Sequence, residues 1–72
     1  MTEIDLHGYT HDDAKQNLEN ELILQYNNNN FPILIITGNS TKMKSLVYDL
    51  GKELNFTVTT PLDNNIGTLV VK

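Results

Sequence analysis

The seven residues FPILIIT (31–37) constrain the fold more than any other part of the chain. They are apolar on both alternating sets, so as a strand they call for cover on both faces and belong at the centre of a sheet. The segments on either side follow the helical period. Ahead of the run, Ala14, Leu18, Leu22 and Tyr26 recur every four residues, which predicts a helix burying that stripe. Thr10 stands in N-cap position with Asp13 three residues on, a capping-box pattern, and acids in a first turn favour the positive end of the helix dipole. The asparagines at 27–30 end this helix and read as a solvated connection. Behind the run, Met43, Leu46, Val47, Leu50 and Leu54 fall at helical spacing from about Thr41 to Asn55, with Lys44, Tyr48 and Lys52 on the opposite side. Gly51 should cost that helix about 1 kcal/mol.

Residues 3–7 alternate, Ile4 and Leu6 against Asp5 and His7, as a half-covered strand does. FTVTT (56–60) alternates in the same way, PLDNNIG (61–67) reads as a turn, and TLVVK (68–72) is an apolar strand. The order is β-α-β-α-β-β, an α/β two-layer sandwich. Right-handed crossovers set both helices on one face of a four-stranded sheet. The strands at 31–37 and 68–72 are expected in the centre and those at 3–7 and 56–60 at the edges, with Asp5 and His7 on the open face. Residues 1–72 are expected to form one domain.

A chain of 72 residues hides only about 60% of its unfolded surface on folding. It has no cysteine to supply disulfides or a thiolate metal site, which is the usage of intracellular proteins, so a cytoplasmic location is expected. The start, MTEIDLHG, lacks the basic and apolar regions of a secretory signal, and no apolar run nears the roughly 20 residues of a membrane span. Net charge is −4, opposite in sign to the footprint of a nucleic-acid binder, so any such binding must use a local patch.

Several segments together resemble the Smr domain, the small MutS-related module: IDLHG, YTHDDA, ILIITGNS, MKSLVYDL and IGTLVVK. The resemblance runs from Glu3 to Lys72. That family's L-D-x-H motif is matched by Ile4-Asp5-Leu6-His7, with isoleucine at its first position, and its T-G-x-G (or H-G-x-G) motif by Thr37-Gly38-Asn39 with Ser40 in place of the last glycine. The resemblance implies a sheet like that of the C-terminal domain of translation initiation factor three, in which the last strand inserts antiparallel between the second and third. It also implies binding and endonucleolytic cleavage of DNA or RNA.

The residues themselves allow that chemistry. Ligand sites of open α/β sheets lie at the carboxyl ends of parallel strands, where Asp5, His7, Thr37 and Gly38 would converge. Phosphodiester cleavage needs a base, an acid or cation at the leaving oxygen, and a phosphate seat. A histidine, titrating intrinsically near pH 6.5, suits acid or base; Asp5 would orient it or bind a divalent cation, magnesium or manganese. Gly8, Thr37, Gly38, Asn39, Ser40, Lys42 and Lys44 are the candidate phosphate contacts, aided by the start of the second helix. Plainer readings stand beside these. Asp5 and His7 would be a polar pair on an exposed strand and Asn39 or Ser40 a helix N-cap; His11, Asp12 and Asp13 could be read as a metal cluster, but consecutive helix positions point in different directions, so a solvated first turn is the plainer reading. The alternative function is a non-catalytic module that binds nucleic acid or a protein partner through the open sheet face. No membrane association is expected.

Overall fold

Ile4, Ile33, Ile35, Leu69 and Val71 are all buried, and their register puts them on one side of one sheet. Ile35 stands opposite Ile4 on one neighbour and opposite Leu69 on the other, and Ile33 opposite Val71. The computed structural model describes residues 2–61 and 66–72. Its elements are β1 (Thr2–Asp5), α1 (His11–Asn27), β2 (Ile33–Ile36), α2 (Thr41–Glu53), β3 (Val58–Thr59) and β4 (Thr68–Val71). The sheet order is β1-β2-β4-β3, with β1 parallel to β2 and β4 antiparallel to both β2 and β3. The two apolar strands are therefore central, as expected, and the sheet is mixed.

Ala14, Leu18 and Leu22 of α1 and Met43, Val47 and Leu50 of α2 share one core with the inward sheet residues. The shortest dimension of the molecule, 18 Å, is that of two layers, and among the described residues no helix or strand lies on the sheet's second face. The expectation of two-sided burial for the central strands is corrected on this point. Leu34, Ile36 and Val70 face outward and are only half-buried.

Both helices start and stop by local hydrogen bonds. Thr10 Oγ1 accepts from Asp13 N–H at 3.2 Å and Ser40 Oγ from Met43 N–H at 3.1 Å, the usual N-cap arrangement. At the other ends, Asn30 N–H reaches Gln25 O at 2.9 Å and Phe56 N–H reaches Gly51 O at 2.7 Å. Asn29 and Asn55 stand in left-handed conformation at φ of 58° and 65°. These are Schellman terminations with asparagine where glycine is commonest. The asparagine run at 27–30 is thus a hydrogen-bonded helix stop as well as an exposed connection.

Tyr26 departs from the predicted stripe, being 60% exposed. A helix of 17 residues is about 25 Å long, whereas a four-residue strand spans about 13 Å, so the last turn of α1 runs past the sheet. There Tyr26 meets Phe31 edge-on at 5.8 Å and Phe56 at 5.6 Å. β3 is shorter than the alternation over 56–60 suggests, because Phe56 is spent on the helix stop; a reciprocal pair between Thr57 and Lys72, at 2.7 and 2.8 Å, extends its pairing by one residue. Of the expected turn at 61–67, residues 62–65 lie outside the described residues.

Gly51 has a packing reason. A Cβ there would clash with Val58 Cγ2, and the branched valine has little freedom to turn away. The glycine lets α2 lie close on β3. Gly51→Ala is expected to destabilise the fold by about 1–3 kcal/mol, overpacking outweighing the gain of about 1 kcal/mol in helix propensity. A lower urea midpoint with unchanged m-value is the expected reading, and a raised midpoint would mean that α2 and β3 are not in close contact.

Candidate active site

Beyond Asp5 the chain makes the turn that carries the histidine. Tyr9 N–H donates to Leu6 O at 3.2 Å, and Gly8 has φ of +89°. A turn with positive φ at its third residue needs glycine or asparagine there. Two anchors hold the turn to the sheet: Leu6 is fully buried, and its N–H donates to Ile36 O at 2.8 Å, one step beyond the β1–β2 ladder. Asp5 Oδ1 accepts the main-chain N–H of His7 at 2.9 Å, an Asx turn. The acid therefore holds the histidine by its backbone, and Asp5 itself is exposed.

The loop after β2 completes the site. A Cβ on Gly38 would stand 3.2 Å from His7 Cδ2, so the imidazole edge lies against the backbone of residue 38. Gly38 also has φ of +65°, a conformation side chains disfavour. The loop is fastened by one carbonyl: Gly67 O accepts from Thr37 N–H at 2.8 Å and from Gly38 N–H at 3.1 Å, with Thr37 Oγ1 at 3.2 Å. Thr37 is 3% exposed, and its hydroxyl also lies 2.9 Å from Gly38 O. Thr37 and the Gly38 amide are thus engaged with the main chain just before β4. Gly67 was not legible as a participant, because a carbonyl acceptor has no side-chain signature; the glycine beside a strand start was its only signal.

Ser40 is the N-cap of α2, with φ of −74° and ψ of 115°. That is ordinary extended backbone, which any residue adopts, so serine fits here without strain. Its Oγ accepts from Met43 N–H and keeps its own proton for donation. The first-turn amides of Thr41 and Lys42 have no acceptor within the helix, as in any α-helix start. Asp5, His7, Gly8, Asn39, Ser40 and Lys42 are exposed, Gly38 and Lys44 half-buried. Lys42 opens onto the groove between the helices beside His11 and Lys15, a grouping unseen in the sequence because it depends on how α1 and α2 pair.

An acid-held histidine on one strand tip is thus set against a glycine loop that leads into a capped helix, bringing the segments I-D-L-H and T-G-N-S together. The Smr domain family model matches residues 4–71. The chain belongs to the Smr domain family. No curated protein and no solved structure matches it. Membership of Smr makes this a domain of a nucleic-acid-binding, nuclease-related family. Among the described residues no helix is long and apolar enough to cross a membrane. Nor does any group of three His, Cys, Asp or Glu among them stand ready to hold a metal ion. A divalent cation in this Smr site would draw on Asp5 and on substrate oxygens, a donor set that fits magnesium, which is commonly held by one or two carboxylates and phosphate.

Proposed function

We propose that this Smr domain is an endonuclease that cuts a phosphodiester bond of DNA or RNA at the His7–Gly38 centre. The observation that carries the reading is the close approach of the imidazole to Gly38, with the histidine's main chain fixed by Asp5. His7 is the acid-base residue: its imidazole takes the proton of the attacking water or 2′-hydroxyl, or delivers one to the leaving oxygen. The Ser40 hydroxyl and the free amides at the start of α2 hold the phosphate and stabilise charge as it develops on the non-bridging oxygens. Lys42, which lines the neighbouring groove between the helices, adds positive potential to this end of α2. A bound divalent cation would add Lewis-acid stabilisation at those oxygens.

Labelled single-stranded and duplex RNA and DNA, with and without magnesium or manganese, test this directly. Cutting of at least one substrate is expected. Binding without cutting would replace the nuclease by an interaction module. Each phosphate neutralised on duplex DNA adds roughly 0.9 to the slope of log affinity against log salt; a slope near zero would leave a protein partner as the ligand.

Gly38→Ala should separate the site from the fold. Its methyl would press on the imidazole at 3.2 Å and occupy a left-handed backbone position. The strain costs about 1–2 kcal/mol, which the fold survives, while a displacement of the acid-base group by a fraction of an ångström is expected to lower cleavage by about tenfold or more. Unchanged cleavage in a folded Gly38→Ala protein would dissociate the loop from the chemistry.

A further inference from the structure

Between α1 and α2 runs a groove of about 380 Å³ whose two ends differ in charge. His11 and Lys15, one helical turn apart on α1, line it together with Lys42 of α2, and Thr41 and Ser45 from the start of α2 line it too. Asp49 and Glu53 line the other end, over a floor provided by Leu46 and Leu50. Positions 42, 45, 49 and 53 recur at helical spacing and so share one face of α2. The basic end adjoins the candidate active site through the chain itself: His11 follows the His7 turn, and Thr41 follows Ser40.

We propose that this groove seats one nucleotide unit of the nucleic acid cut at the His7–Gly38 centre, with a phosphate among His11, Lys15 and Lys42 and the base over the leucine floor. The inference rests on the nuclease-family reading of that centre and adds to it a second, neighbouring subsite. Two lysines, a histidine and two hydroxyl-bearing residues from separate helices line one cavity, a set of donors suited to the four or more acceptor lone pairs of a phosphate. The volume lies in the ordinary range for small-ligand pockets, about 300–1,000 Å³. The acidic end sets the length of what is held. A continuing backbone would bring its next phosphate against Asp49 and Glu53, so the strand leaves the groove after one unit, and the carboxylates instead accept N–H groups from the edge of the base. The plain rival is an inter-helix charge arrangement in which Lys15 answers Asp49 and Glu53 and serves only stability.

A fluorescein-labelled single-stranded RNA 12-mer, titrated into the full chain over a series of salt concentrations, decides between them. Lys15→Gln is expected to weaken binding about three- to tenfold near 0.1 M salt, and to reduce the salt slope by about 0.7, one phosphate on a single strand. Lys15→Arg should restore both, whereas Lys15→Gln in the cleavage assay should raise KM with kcat unchanged. Equal affinity and slope in wild type and Lys15→Gln, with only the melting temperature lowered in the variant, would overturn the subsite and leave the structural role. Wild type that shows no salt-dependent binding at all would instead remove the nucleic-acid reading, and the subsite with it.

Discussion

His7→Ala is expected to lower cleavage by about 10²–10⁴-fold, the usual contribution of one positioned acid-base side chain, with little change in affinity for the uncut strand. The side chain is exposed, so its loss opens no cavity. The turn it stands on is held by main-chain bonds that alanine keeps, from residue 7 N–H to Asp5 Oδ1 and from Tyr9 N–H to Leu6 O. A melting temperature within a few degrees of wild type, beside a cleavage rate near background, is the predicted pair of readings. Cleavage at the wild-type rate in the folded variant would take His7 out of the chemistry and leave the site as a binding surface.

The largest expected effect on stability belongs to Leu18→Ala. Leu18 is fully buried between Ala14 and Leu22 on the inner stripe of α1, and truncating such a leucine costs about 2–5 kcal/mol through lost transfer energy and the cavity left behind. At the usual 0.05–0.15 kcal/mol per residue, a chain of 72 residues has a total stability of about 4–11 kcal/mol. One methyl-rich side chain is therefore worth a large fraction of the fold. Urea unfolding should show a sharply lowered midpoint, or a chain already unfolded at 25 °C. A loss below about 1 kcal/mol would mean that α1 does not pack on the sheet through this stripe.

The parts of this fold that rest on side-chain pattern were legible beforehand, and those that rest on extent or on main chain were not. Two-sided apolarity placed 31–37 and 68–72 at the centre of the sheet, because an edge strand has no use for it. The same pattern could not say that Leu34, Ile36 and Val70 stay half-buried. Helical spacing tells which side of α1 Tyr26 lies on but not where the sheet beneath it stops. Gly51 read as a cost to α2, since its gain, the close approach of Val58, lies between elements distant in sequence. At the site, the parallel order of the first two strands brought His7 to the loop at 38, as the strand-end position of both motifs implied. The bond actually made by Asp5, to the His7 main chain and not to the ring, follows from the tightness of the turn at Gly8. The Gly67 carbonyl, which fastens Thr37 and Gly38, carried no advance sign beyond the glycine itself.

Amide chemical shifts of the ¹⁵N-labelled His7→Ala protein, followed as a short uncut oligonucleotide is added, locate the bound phosphate without requiring turnover. Perturbations gathered on Gly8, Gly38, Asn39, Ser40 and Thr41 together would place the ligand where the two strand tips meet the start of α2, as predicted. Perturbations confined to Tyr26, Phe31 and Phe56 at the overhanging end of α1, with the two loops unmoved, would contradict a shared centre.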